Sequence, residues 1–122
     1  MQKARPGTVC VGTVCVRHCL RHCLCMVLSD SIHVMLLTHA KWAAFTNKPI
    51  VDAKVSSEVS LALGVDDRQA VDALVEAARA NGGRAGVNPA QELPFMYSRS
   101  IEDLDGHVWE PLFFDMSKMP RA

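Results

Sequence analysis

Hydrophobic and polar residues alternate with a period of two between Glu58 and Val65. The bulky side chains fall on one side of an extended chain, and small or polar residues fall on the other. The spacing then becomes helical, with apolar residues recurring on one face from Ala70 to Ala78. This pattern predicts a strand that leads directly into an amphipathic helix, with the bulky side of the strand packed against it.

Both ends of this helix carry termination signals. Asp66-Asp67-Arg68-Gln69 has the form of an N-terminal capping box, which predicts Asp66 as the cap. Gly82 and Gly83 follow the last periodic residue, and glycine accepts the left-handed conformation that closes a helix.

The rest of the second half predicts a closing hairpin. Arg84–Pro94 is predicted as a loop because it contains Asn-Pro and a second proline. Phe95–Glu102 alternates as a strand, Asp103–Gly106 has the composition of a tight turn, and His107–Phe114 returns as the antiparallel partner. The second half therefore predicts a β-α-β-β unit.

The first half contains only the end of a similar unit. Met26–Leu28 and Ile32–Thr38 predict two strands around a Ser-Asp-Ser turn, and His39–Phe45 predicts a helical turn. A strand and a helix should precede them in a complete copy, but residues 1–24 show neither pattern. We therefore expect the first unit to lack its opening strand and helix.

All five cysteines lie between Cys10 and Cys25, in tandem near-copies of GTVCV and RHCL. Their spacing lacks the paired knuckles of a tetrahedral zinc site, and an odd count argues against a disulfide framework. Weak metal capture by these thiols and the neighbouring histidines remains open. We interpret residues 1–24 as an atypical segment outside the native fold, produced by an altered reading frame or an aberrant start. Residues 25–117 then form the domain and residues 118–122 a frayed tail.

Charge and length narrow the class of protein. The chain has 122 residues, enough for one domain, and 13 basic residues balance 13 acidic ones at a pI near 6.9. This balance argues against nucleic acid and membrane partners, and no apolar run approaches the ~18 residues of a spanning helix. A body without cysteines after Cys25 is compatible with a reducing cytoplasm, where we expect the protein.

The segment Asp103–Glu110, DLDGHVWE, resembles the signature that closes domains of the vicinal oxygen chelate superfamily. That superfamily includes glyoxalase I, bleomycin-resistance proteins and extradiol dioxygenases. Leu104, in a slot commonly held by proline, departs from the pattern. Glu58–Gly83 is similar to the opening of the second module, and Ile32–His39 to the last strand of the first. The resemblance implies an α+β fold in which paired βαβββ modules form a cup-shaped mixed sheet.

In such proteins a divalent metal is held in the cup by side chains from four strands. Glu110 matches the fourth ligand position, and the third falls near Ser60, with Glu58 two residues earlier as a substitute. The second falls on Met35 or Leu36, which bind no hard or borderline metal, and the strand that would carry the first is not found. The resemblance therefore implies Glu110 and Glu58 as candidate ligands of an incomplete site.

Glu110 also stands out without the resemblance. Alternation places it on one face with Val108, Leu112 and Phe114, and a carboxylate among apolar side chains needs a cation or a hydrogen-bond donor. The resemblance adds a role to this position, because it implies Glu110 as the catalytic carboxylate, able to move a proton.

Three further residues are candidates for binding a substrate: Ser60, Tyr97 and Trp109. The alternative for the two aromatic residues is a place in the core, which is the commoner use of aromatic side chains at strand spacing.

The resemblance leaves three readings of the function open. The first is a glyoxalase-like protein that binds a small molecule in the cup, with metal-dependent lyase or isomerase chemistry of the lactoylglutathione lyase type. The second is a non-catalytic protein that sequesters a drug or metabolite, as bleomycin-resistance proteins do, and an inactive truncated homologue is a third reading. The resemblance also implies a homodimer, because this superfamily commonly completes its cups across chains.

Overall fold

The computed structural model describes residues 8–11, 14–18 and 23–120, which divide into two compact units. The first unit belongs to residues 1–50 and the second to residues 51–122. Both are built from β-sheet with few helices, so the predicted α+β class is confirmed. No helix in the described part of the chain is long and apolar enough to cross a membrane.

The first unit is an antiparallel sheet whose four strands follow one another in chain order. Its elements are β1 (Thr8–Val11), β2 (Val14–His18), β3 (Cys23–Val27), β4 (His33–Leu37) and a short helix, α1 (His39–Trp42). The predicted hairpin is confirmed as β3 and β4. Its turn is closed by Ser29, whose Oγ accepts hydrogen bonds from the amides of Ser31 and Ile32.

Part of the cysteine-rich segment lies in this sheet. β1 pairs with β2, and β2 pairs with β3. Residues 1–7, 12–13 and 19–22 lie outside the described residues, as do the side chains of residues 8–23. The thiols proposed for weak metal capture are therefore outside the described part of the chain, Cys25 excepted. The foreign origin of the segment stays a prediction.

The second unit is a mixed sheet built around one central strand. Its elements are β5 (Ser60–Gly64), α2 (Arg68–Ala80), β6 (Arg84–Ala85), β7 (Gln91–Leu93), β8 (Met96–Ser98), β9 (Ile101–Glu102), β10 (Val108–Phe114) and a 3-10 turn, Met116–Lys118. β10 pairs in parallel with β5 and antiparallel with β8 and β9, while β6 flanks β9 and β7 flanks β8. The predicted order of strand, helix and closing hairpin is confirmed.

Two segments of the second unit differ from their predicted form. The predicted loop Arg84–Pro94 contains the short strands β6 and β7, and the predicted strand Phe95–Glu102 is interrupted between β8 and β9. Pro111 explains the interruption, because it has no amide hydrogen to donate to the facing residue, Arg99. The ladder keeps only the reverse bond there, from the Arg99 amide to the Pro111 carbonyl at 3.2 Å.

α2 begins one residue later than the capping-box pattern indicates. Asp67 is the N-cap, and its Oδ1 accepts a hydrogen bond from the Ala70 amide at 2.7 Å. The prediction of Asp66 as the cap is therefore wrong, because the neighbouring side chain is the one that reaches the free amides of the first turn. The helix ends before Asn81, and Gly82 follows with φ of +90°, as predicted.

The core of the second unit lies between α2 and one face of the sheet. Val71 and Val75 of α2 are fully buried, and Trp109 of β10 is 7% exposed. Full burial of one such side chain contributes about 1.5–3 kcal/mol. This face of the sheet therefore supplies the main stabilisation of the unit.

Candidate functional site

The register of the strands distinguishes the two faces of the second sheet. Tyr97 of β8 lies opposite Phe113 of β10, and its hydroxyl is bonded to Asp72 of α2, so this face is the helix side. Alternation along β10 then places Trp109 on the helix side and Glu110 on the other. The side with Glu110, which we call the Glu110 face, carries Ser60, Ala62, Gly64, Arg84, Gln91, Leu93, Met96, Ser98, Glu102, Val108, Glu110, Leu112 and Phe114.

A buried hydroxyl is bonded to the Glu110 carboxylate. Ser98 Oγ donates to Glu110 Oε1 at 2.8 Å, and Ser98 is only 2% exposed, whereas Glu110 is half-buried. Ser98 thus supplies the hydrogen-bond donor that the sequence requires for this carboxylate, and it is a site residue that the sequence did not predict. The signal lay in the register, because Ser98 is opposite Leu112, two residues from Glu110 on the same face.

Apart from Ser98, the nearest neighbours of Glu110 along β10 and on β5 are apolar. Val108 and Leu112 flank it along β10, and Ala62 lies beside it on β5. Ala62 and the nearby Ser60 are exposed, while Val108 and Leu112 are half-buried. This part of the sheet therefore presents one oriented carboxylate in a partly accessible apolar surface.

A second carboxylate on the Glu110 face is already paired. Glu102 lies opposite Val108, and its Oε1 is 3.2 Å from Arg84 Nη1. Among the described residues, no hydrogen bond or ion pair joins the second oxygen of Glu110, Oε2, to a side chain or amide. Glu110 is therefore the carboxylate of this face that is open to a ligand.

The two aromatic residues predicted to bind substrate lie on the helix side. Tyr97 Oη donates to Asp72 Oδ1 at 2.9 Å, and Trp109 is nearly buried. Ser60 lies on the Glu110 face, on the strand next to that of Glu110. The structure thus brings Ser60 and Glu110 to one face and places Tyr97 and Trp109 across the sheet from them.

A charged cluster surrounds Tyr97 on the helix side. Arg99 Nη1 donates to Asp72 Oδ1 at 2.7 Å, and the Arg68 guanidinium lies 5.1 Å from the centroid of the Tyr97 ring. The hydrogen bonds from Arg99 and then Tyr97 hold the pKa of Asp72 below its ordinary 3.8. Burial, followed by the bond to Asp72, raises the pKa of Tyr97 above 10.0. At neutral pH the cluster therefore contains an ionised Asp72 and a neutral Tyr97.

Solved structures of other proteins share this architecture over most of the chain. A hypothetical protein from S. aureus is 21% identical with a TM-score of 0.67, and the match covers 82% of this chain and 75% of that one. A glyoxalase/bleomycin resistance protein/dioxygenase family enzyme from Burkholderia phytofirmans PsJN is 18% identical with a TM-score of 0.58, covering 78% and 73%. A glyoxalase/bleomycin resistance protein/dioxygenase from Nocardioides is 15% identical with a TM-score of 0.58, covering 88% and 71%.

The chain has the vicinal oxygen chelate fold. No protein-family model and no curated protein matches it. The predicted resemblance to this superfamily is thus confirmed at the level of the fold.

The residues around Glu110 do not fit the divalent metal that the vicinal oxygen chelate resemblance implies. Glu58, the substitute candidate for the third ligand position, is exposed and precedes the first residue of β5. Ser98 and Ser60 contribute hydroxyls, which are not among the usual ligands of zinc, and Glu102 is engaged by an arginine. Over the described ranges of the chain, no three His, Cys, Asp or Glu side chains come together as a metal site would require.

Proposed function

We propose that the protein binds a small molecule on the Glu110 face, with the Glu110 carboxylate as the polar anchor. The observation that carries this proposal is the bond from the buried Ser98 hydroxyl to Glu110 Oε1 at 2.8 Å. This bond holds one carboxylate oxygen and leaves the other for a ligand. Small-molecule sites are commonly lined by apolar side chains with a few placed polar groups, and the residues around Glu110 have this composition.

The chemistry of the face favours a ligand with an apolar body and a hydrogen-bond donor, above all a cationic one. The apolar body would contact Val108, Leu112 and Ala62, and the donor would reach Glu110 Oε2. A hydrogen bond that involves a charged group contributes ~1.5–3 kcal/mol, so an ammonium group should be preferred over a hydroxyl.

Sequestration without turnover is the function that these residues support best. Two structures with this fold are described as glyoxalase/bleomycin resistance protein/dioxygenase, one of them as an enzyme of that family, so both binding and catalytic roles occur among these descriptions. Binding alone requires an apolar surface and an anchor, both of which the Glu110 face has. Lyase or isomerase chemistry also requires a group that activates the substrate.

A lyase or isomerase of the lactoylglutathione lyase type is the second candidate. It is favoured by Glu110, because a half-buried carboxylate on an accessible face is able to move a proton. Its signature would be turnover of the hemithioacetal of methylglyoxal and glutathione in the presence of Zn²⁺ or Mg²⁺, lost in Glu110→Gln. We expect no such turnover if the protein only sequesters its ligand.

Isothermal titration calorimetry with three probes of the same aromatic body tests the binding proposal. We expect naphthylmethylamine to bind more tightly than naphthylmethanol, and naphthoate to bind most weakly. Glu110→Gln should raise the Kd of the amine about tenfold, which corresponds to the loss of one charge-assisted hydrogen bond. The Kd of the alcohol should change much less.

Glu92→Gln is the matched control for this titration. Glu92 lies in the same sheet, opposite Tyr97 and so on the helix side, and its replacement removes the same charge. We expect it to bind the amine as the unaltered protein does. Absence of amine binding, or equal losses in Glu110→Gln and Glu92→Gln, would contradict the proposed site.

A further inference from the structure

Three consecutive residues of the second sheet are held on alternate faces. Tyr97 Oη and Arg99 Nη1 both donate to Asp72 Oδ1 on the helix side, at 2.9 and 2.7 Å. Ser98, between them, donates to Glu110 Oε1 at 2.8 Å on the other side. One carboxylate of α2 thus holds both neighbours of the hydroxyl that contacts the candidate site.

The backbone at this point has less support from the sheet than a regular ladder would give. β8 ends at Ser98, and the facing strand lacks a donor because Pro111 has no amide hydrogen. The side chains of Tyr97 and Arg99 supply a restraint from the opposite direction by bonding to Asp72. Arg99 Nη2 also lies 3.6 Å from a carboxylate oxygen of Glu76, one helical turn further along α2.

We infer that Asp72 is a positioning residue for the Ser98–Glu110 pair and acts through the backbone of Tyr97 and Arg99. A side chain in a strand stands perpendicular to the sheet in a direction set by its own backbone. Fixing both neighbours on the helix side therefore fixes the Cα–Cβ direction of Ser98, from which the observed rotamer brings Oγ to Glu110 Oε1. The effect of Asp72 on ligand binding rests on the proposed function of Glu110. Its effect on the geometry of the Ser98–Glu110 bond does not depend on that function.

Crystal structures of Asp72→Ala and Asp66→Ala test the geometry. Asp66 is exposed, and in the part of the chain that the structure describes its side chain forms no hydrogen bond or ion pair, so its replacement removes the same charge without the bonds. In Asp72→Ala we expect Ser98 Oγ to leave Glu110 or to occupy two rotamers. In Asp66→Ala the 2.8 Å bond should persist. An unchanged bond in Asp72→Ala would overturn the inference.

Asp72→Asn covers the case in which Asp72→Ala does not fold. The asparagine keeps an acceptor oxygen but loses the charge, and charge-assisted hydrogen bonds are roughly twice as strong as neutral ones. We expect a second rotamer of Ser98, visible in side-chain coupling constants measured by NMR. A single unaltered rotamer of Ser98 in this variant would also overturn the inference.

A double-mutant cycle in the binding of naphthylmethylamine provides the functional readout. Ser98→Ala and Asp72→Ala should each raise the Kd about three- to tenfold. The double variant should bind no worse than Ser98→Ala alone, because both changes act on the same hydroxyl. Effects that multiply in the double variant would overturn the positioning role, since they would show that Asp72 acts independently of Ser98.

Failure of the proposed function and failure of this inference give different results. If the amine does not bind the unaltered protein, the binding proposal fails, and the Ser98–Glu110 distance in Asp72→Ala still decides the positioning role. If the amine binds and only the cycle is multiplicative, the binding site stands and the role of Asp72 falls.

Discussion

Asp103 uses both oxygens of its carboxylate to hold the closing hairpin together. Oδ1 accepts hydrogen bonds from the amides of Asp105 and His107 at 3.0 Å each, and Oδ2 accepts one from Trp109 Nε1 at 2.8 Å. These bonds fix Trp109 in the core, and alternation then directs the next side chain, Glu110, to the opposite face. The first and last acidic residues of the DLDGHVWE segment therefore differ in role, since one is structural and the other is open to a ligand.

Gly106 is the residue of this turn least able to accept a side chain. Its φ is +96°, and a Cβ added to it would lie 2.7 Å from the Lys54 amide nitrogen and 2.8 Å from the Ala53 carbonyl carbon. Both are backbone atoms, which cannot rotate away. We expect Gly106→Ala to lower the free energy of unfolding by about 2–4 kcal/mol, measured by urea denaturation followed by tryptophan fluorescence.

Two other glycines separate the two causes of this loss, which are backbone strain at positive φ and the close contact of the added Cβ. Gly86 has a positive φ of +72° with no atom within 4 Å of an added Cβ, and Gly64 has neither constraint. Gly86→Ala should cost about 1–2 kcal/mol from backbone strain alone, and Gly64→Ala should be neutral or stabilising by less than about 1 kcal/mol. A loss in Gly106→Ala no larger than that in Gly86→Ala would argue against the close contact with residues 53–54.

Tyr97 is the single tyrosine of the chain, so its ultraviolet titration reports on the helix-side cluster alone. Burial and then the bond to Asp72 both disfavour the phenolate, and they raise the pKa above 10.0. We expect the phenolate absorbance to appear with a midpoint above pH 10.0. The midpoint should fall in Asp72→Asn, because the carboxylate is removed while most of the burial remains.

The sign of this shift also has a consequence for stability. Since the folded state binds the phenolic proton more tightly than the unfolded state, the contribution of Tyr97 is complete below pH 10 and is lost as the pH rises through the folded pKa. Circular dichroism at each pH provides the control for folding. A midpoint of 10.0 or lower in folded protein, or an equal decrease in Asp66→Asn, would count against the cluster.

At the scale of elements, the first turn of α2 distinguishes two adjacent aspartates. Asp67 accepts from the Ala70 amide, whereas Asp66 precedes the cap. Asp67→Ala should lower the free energy of unfolding by about 1 kcal/mol, and Asp66→Ala should stay within about 0.5 kcal/mol of the unaltered protein. Both changes remove one negative charge near the positive end of the helix, so their difference in urea denaturation measures the cap itself. A larger loss of unfolding free energy in Asp66→Ala than in Asp67→Ala would instead support Asp66 as the cap, as the sequence predicts.

Elements defined by signals within a few residues could be predicted from the sequence. α2, the β3–β4 hairpin and the turn at Gly106 are of this kind, and each is confirmed. β6 and β7 are two and three residues long, too short to show a period, and they exist as partners of β9 and β8. Their positions follow from pairing with distant residues, which composition does not reveal.

The residues of the candidate site also divide into those predicted by local sequence signals and those that depend on contacts with distant residues. Glu110 could be predicted because alternation within one strand is local. Ser98 lies 12 residues away on another strand, so its contact with Glu110 depends on register. The face of the sheet on which Tyr97 lies is identified by its hydrogen bond to Asp72, a residue of α2 that is 25 positions earlier in the chain.

At the scale of the whole molecule, buried residues are distributed unevenly between the described parts of the two units. Between residues 24 and 50 the buried residue is Cys25, and large apolar side chains such as Met35 and Ile32 are more than half exposed, at 55% and 58%. In the second unit the buried residues are Val71, Val75, Ser98, Ser100, Gly106, Trp109 and Pro111. Because apolar burial is the dominant stabilising contribution, the described part of the second unit should be the more stable one.

Native-state hydrogen exchange, measured residue by residue by NMR, tests this difference. β3 and β10 are matched in pairing, since each lies between two neighbouring strands, β2 and β4 for β3, and β5 and β8 with β9 for β10. If pairing alone set the protection, their amides would exchange at similar rates. We expect the amides of β3 to exchange at least about tenfold faster, because the core against which β10 packs must open before its amides meet water. Equal protection of the two strands would mean that burial within each unit does not determine its local stability.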